Sequence, residues 1–189
     1  MRKALLFFLL AGICVAVAWR YFRPDFSFLA DASSEGGPIA DMDQPLPHAV
    51  LPSVDNEWVD FSKYKGRVVL IAFWTTWCPG CVDEVPALIR LQNEFGDRGF
   101  TVVAVAVDDR GEQSVESFVK SQRFSVNGAS APVNFPVLLG SDETARKLGF
   151  EGGLPASVLV NREGREVKII RGVVSESDLF KTVRRIVKN

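Results

Sequence analysis

Two cysteines separated by Pro-Gly, in the run Trp77-Cys78-Pro79-Gly80-Cys81, are the residues of this chain whose types and spacing best suit chemistry. They fall where an apolar run ends and a helical pattern begins. With Cys78 at the N-cap, Pro79 takes the first helical position, where its missing N–H breaks no bond. The Cys78 sulfur then faces free backbone N–H groups and the positive end of the helix dipole. Both favour thiolate over thiol and predict a pKa below the free value of ~8.5. Cys81 returns to the same face of the first turn, so the pair can cycle between dithiol and disulfide with little backbone movement. A loop this short is a poor staple, and reactivity explains it better than structure. Three blander readings stand beside the redox dithiol: a structural disulfide, half of a zinc site, and a plain Pro-Gly turn. There is no second CxxC, and the single histidine, His48, lies upstream in a Pro-rich loop. Neither a metal nor another cofactor is therefore expected.

The elements that must hold this pair follow from hydrophobic patterning. Arg67–Trp74 is almost continuously apolar, as a central buried strand is. A helix is predicted over Pro79–Phe95, ending at Gly96. Phe100–Val107 reads as a second buried strand and Glu112–Gln122 as a second helix. Asn134–Leu139 reads as a short strand and Asp142–Leu148 as a short helix. Ala156–Val160 and Glu166–Ile170 flank the turn-rich Asn161–Gly164 and suggest an antiparallel hairpin. Ser175 and Asp178 resemble a capping box with Asp in place of Glu, opening a last helix. Ala49–Phe61 suggests a small hairpin turning at Val54-Asp55-Asn56. The fold class is α/β: one twisted sheet of mixed strand directions with helices on its faces.

Upstream, Arg2 and Lys3 precede an uncharged apolar run, Ala4–Trp19, closed by Arg20 and Arg23. It shows no polar stripe, so a membrane anchor is expected over residues 1–23, with a cleaved signal peptide ending near Ala16-Val17-Ala18 as its competitor. Either one exports the rest of the chain. Residues 24–45 lose periodicity and read as a flexible tether, with the folded domain at 46–189. The chain has 189 residues, 47% hydrophobic and 24% charged, with a net charge of −1. Those values suit one folded domain plus an appendage and exclude a disordered polymer. They also argue against a nucleic-acid partner, which would call for a basic excess.

The run FWTTWCPGC after an apolar strand, with GLPASVLVNREGR about 75 residues later, resembles the thioredoxin superfamily. More narrowly, it resembles the membrane-anchored, exported thiol–disulfide oxidoreductases of the TlpA/ResA type, including those serving cytochrome c maturation. The likeness runs from about Leu46 to the C-terminus and implies a thioredoxin-like mixed sheet. It implies that Cys78 attacks a substrate disulfide and that Cys81 resolves the mixed disulfide. It implies a cis proline at Pro155 beside the dithiol, with Leu154 touching an extended substrate segment and Trp77 forming an apolar wall. Glu84 stands where the ResA-like group carries an active-site glutamate, one turn from Cys81; its blander reading is a solvated first-turn acid. The implied partners are cysteine-containing exported proteins and a membrane electron donor that keeps the dithiol reduced. The implied place is the outer side of the cytoplasmic membrane, through a single-pass anchor.

The sequence also departs from thioredoxin. By resemblance Ala72 stands at the place of its buried aspartate, the position of its lysine partner falls near Ala104 by residue count, and the dipeptide between the cysteines is Pro-Gly rather than Gly-Pro. Ser125–Val133 looks like a small insertion before the third strand, read as a passive surface loop rather than a lip near the substrate face. Two other functions compete with the leading one. Thr75, three residues before Cys78, suits a peroxiredoxin-like peroxidase, although Ile71 replaces the proline of that motif. A non-enzymatic copper chaperone would use the dithiol as ligand, but its usual third intervening residue and downstream histidine are missing.

Overall fold

Trp74, the last residue before the active-site loop, ends a strand whose seven residues are all buried. In this computed structural model, which describes residues 39–188, that strand is β4 (Val68–Trp74), and β5 (Phe100–Ala106) lies parallel to it, equally buried. Both faces of the pair are covered, so each strand is apolar throughout rather than alternating. Leu70, Ala72 and Trp74 face one core, and Val69, Ile71 and Phe73 face the other.

The remaining strands extend this centre. β1 (Ile39–Pro45), β8 (Val137–Leu139), β9 (Ala156–Val160) and β10 (Arg165–Arg171) complete a six-stranded sheet of order β1-β10-β9-β4-β5-β8. β8 runs parallel to β5, whereas β9, β10 and β1 are antiparallel to their neighbours. Helices α1 (Pro79–Phe95) and α4 (Glu176–Lys188) cover one face, α1 with Leu88, Ile89 and Phe95, α4 with Leu179 and Val183. α2 (Glu112–Ser121) adds Val115 to that core. α3 (Asp142–Lys147) and the small hairpin of β2 (Val50–Pro52) and β3 (Trp58–Asp60) cover the other face.

The mixed sheet and its helices match the expectation, and the element ends agree to within one or two residues apart from three departures. Strand β8 starts at Val137 rather than Asn134, since Pro136 has no N–H to give a ladder. The predicted tether runs too far: its last seven residues form β1, which pairs with β10, so the folded unit begins before Leu46. The expected passive loop is instead a hairpin, β6 (Phe124–Val126) with β7 (Ala129–Ala131), and it buries Phe124 and Val126. Among the described residues no helix is long and apolar enough to cross a membrane. The predicted anchor over residues 1–23 lies outside them.

Candidate active site

The chain leaves β4 through Thr75-Thr76-Trp77 and enters α1 at Cys78. Cys78 is the N-cap, in extended conformation, and Pro79 is the first helical residue. Its sulfur accepts the Cys81 N–H at 3.2 Å, one of the amides that an N-terminus leaves free. Cys78 and Cys81 form a disulfide across Cα atoms 5.3 Å apart. Both cysteines are buried, Cys78 at 7% exposed and Cys81 at 3%.

Two loops from far along the chain close on this corner. The Leu154–Pro155 bond is cis, and Pro155, just before β9, lies beside the helix N-terminus. A Cβ added at Gly80 would lie 3.5 Å from Pro155 Cδ and 3.1 Å from Val173 Cγ2. A residue larger than glycine would therefore push on the wall opposite. Val173 and Trp77 are among the few large apolar side chains exposed among the described residues. The Trp77 indole donates to Asp109 Oδ1 at 2.7 Å, which fixes the ring on the loop after β5.

Asp108, beside it, secures the loop that carries the dithiol. Its Oδ2 accepts both the Thr76 N–H and the Thr76 hydroxyl, at 2.5 and 2.6 Å, and its Oδ1 accepts the Arg110 N–H at 2.9 Å. Desolvation pushes the Asp108 carboxyl up, but the bonds from Thr76 and Arg110 outweigh it and hold the group below the ordinary aspartate value. Asp108, Asp109 and Val173 were missed in the sequence. The one available signal was position, since ligands and catalytic loops gather at the carboxyl ends of parallel strands.

Glu84 lies one turn after Cys81. Desolvation pushes its carboxyl up to about 7, opposed by a hydrogen bond from the Val174 backbone N–H. Cys81 and Glu84 line one cavity of about 20 Å³, room for a single water, together with Trp74 and Phe118. Ala72 and Ala104 form its floor and are direct partners across β4 and β5. Two small side chains in register leave this space, and Glu84 enters it from the helix side. Thr75 is buried and its hydroxyl has no partner among the described residues. His48 belongs elsewhere, against Asp60 at 3.3 Å on the surface.

A thioredoxin-like sheet with a vicinal cysteine pair at a strand-to-helix corner, facing a cis proline, defines a thiol–disulfide oxidoreductase site, and comparison with known proteins agrees. The redoxin family model matches residues 41–184. The thiol–disulfide oxidoreductase ResA of Bacillus subtilis is 33% identical over 131 residues, covering 69% of this chain and 68% of that protein. ResA of Halalkalibacterium halodurans is 27% identical over 170 residues, 89% of this chain and 85% of the relative. A solved thiol:disulfide interchange protein of the thioredoxin family from Chlorobium tepidum superposes with a TM-score of 0.65 at 26% identity, covering 77% of this chain and 97% of that one. The chain belongs to the redoxin family, within the thioredoxin superfamily and among its ResA-like members, and it is a protein-disulfide oxidoreductase acting on cysteine-containing substrates.

Proposed function

We propose that the protein is a reductase of disulfides in exported proteins, anchored outside the cytoplasmic membrane and serving cytochrome c maturation. In the reduced protein the Cys78 thiolate attacks one sulfur of a substrate disulfide, and the other substrate sulfur leaves with a proton. Cys81 then loses its proton, attacks Cys78 and releases the second substrate thiol. The substrate gains two electrons and two protons, and the Cys78–Cys81 disulfide remains for a membrane thiol donor to reduce. Glu84 is suited to take the Cys81 proton, because a carboxyl poised near 7 can both accept and return one. Trp77, Leu154 and Pro155 form the surface on which the substrate segment lies.

The observation that carries the direction is the charge around the pair. Asp83 on α1 and Asp109 beside Trp77 are acidic, and Glu84 adds a carboxyl that burial raises to about 7, so it carries only part of a charge at neutral pH. An acidic setting raises the free energy of a thiolate, so the reduced form gains little and the disulfide is favoured. A superfamily member becomes an oxidant when its reduced form is stabilised, and this setting works the other way. The apolar run at residues 4–19 supports export and anchoring.

Reaction with an oxidised Cys-x-x-Cys-His peptide, the haem-attachment pattern, tests the reading. The reduced full-length protein is expected to convert it to the dithiol, while Cys78→Ala abolishes turnover. Cys81→Ala is expected to stop at a stable mixed disulfide with Cys78, visible by mass. Peptide left oxidised while hydrogen peroxide is consumed would instead favour a peroxidase.

A further inference from the structure

Beside the dithiol a second depression opens at Gly80, sharing Glu84 with the small cavity. It holds about 130 Å³ and runs between the first three turns of α1 and the loop from β10 with the start of α4. Drug-sized ligands occupy about 300 Å³ or more, so this space suits one side chain rather than a separate small molecule. Its walls combine two kinds of surface. Ala87, Val173 and Leu179 are apolar, while Asp83 and Glu84 bring carboxyl groups. Arg90 is the cation at the far end, but Glu176 takes it in a two-pronged pair, with Nε to Oε1 at 2.7 Å and a terminal nitrogen to Oε2 at 2.5 Å. That cation is therefore already neutralised. Asp83 is exposed and has no hydrogen bond or ion pair among the described residues, so the open part of the groove keeps an uncompensated negative charge.

A long side chain with an apolar stem and a cationic head fits both surfaces, since lysine and arginine cover apolar walls with their methylenes and keep the charge at the rim. We propose that this groove is a subsite for a lysine or arginine of the disulfide-bearing substrate, close in sequence to the cysteine that Cys78 attacks. The subsite rests on the oxidoreductase reading, because the dithiol fixes where the substrate cysteine sits. From Gly80 to Ala87 the helix rises about 10 Å. An extended segment spans that in about three residues, which sets how far the cation lies from the substrate cysteine. A cation seated there would also draw Glu84 toward its ionised form, linking recognition to the acid beside Cys81.

The test compares kcat/KM of the reduced full-length protein on three oxidised peptides that carry Lys, Gln or Glu at the same place, within about three residues of the reactive cysteine. Hydroxyethyl disulfide, too small to reach the groove, is the reference substrate. The Lys peptide is expected to exceed the Glu peptide at least about fivefold, mainly through KM, with the ratio shrinking in high salt. In Asp83→Lys the ratio is expected to invert, and a ratio remains readable even if that variant is slower on every peptide. Equal rates on the three peptides, with the reference substrate still turned over, would overturn the subsite alone. No turnover of any disulfide, the reference included, would overturn the oxidoreductase reading beneath it.

Discussion

Glu84 pairs a large desolvation with a place beside the resolving cysteine, and its ionisation has a consequence of definite sign. Its folded value of about 7 lies above the ordinary 4.5, so between those limits the folded state binds more protons than the unfolded one. Stability then falls as pH rises from about 4.5 to about 7 and is unaffected below that window. The loss is at most about 3 kcal/mol. In Glu84→Gln this part of the pH dependence is expected to vanish, as denaturant midpoints of the oxidised protein between pH 4 and 8 would show. The same variant is expected to slow resolution of the mixed disulfide by about 10²-fold or more. An unchanged pH profile would return Glu84 to the role of a solvated acid. At this scale much of the site was legible, because Trp77, Cys78, Cys81 and Glu84 share one strand-to-helix corner and Pro155 opens a recognisable hairpin. Asp108, Asp109 and Val173 were not, since their roles come from contacts made about 30 and 95 residues away along the chain.

Among elements, the join between the ends of β4 and β5 is where sequence distance and function meet most closely. Asp108 leaves β5 and holds Thr76, so it fixes the entry to α1 and with it the Cys78 N-cap. Asp108→Ala strands the Thr76 N–H and is expected to cost about 1–3 kcal/mol. Because the Asp108 value is depressed on folding, its contribution is present above the unfolded pKa and is lost as pH falls through the folded one. The gap between wild type and variant is therefore expected to narrow once pH falls below the ordinary aspartate value, as unfolding at pH 7 and at successively lower pH would show. Elements buried on both faces, β4, β5 and β9, were read with little error because their composition leaves few alternatives. The misread elements lie at edges. β1 carries Asp41, Asp43 and Gln44 on an edge strand, where half the backbone needs no partner and the apolar signal is weak. β6 and β7 turn at Asn127-Gly128, both at positive φ, a strong hairpin signal hidden inside what looked like an insertion.

For the folded unit as a whole, residues 39–188, one sheet sorts its structure from its chemistry. The two apolar cores on its faces carry the stability. The cysteine pair sits at the carboxyl end of β4 with the loops after β5 and β10, and with Leu154-Pro155 at the start of the antiparallel β9. Acidic side chains line that rim, and the small residues Ala72 and Ala104 lie beneath it. On the reading proposed above, the reduced pair receives little stabilisation beyond the helix N-terminus, which makes it a donor of electrons once a membrane donor has reduced it. The equilibrium reduction potential of Cys78–Cys81, followed by Trp77 fluorescence against a glutathione or dithiothreitol buffer, tests this most directly. A value at or below about −200 mV is predicted, the range of superfamily members that give electrons. A value near −120 mV would contradict the account, because it would mark an oxidant that installs the disulfides this protein is proposed to remove.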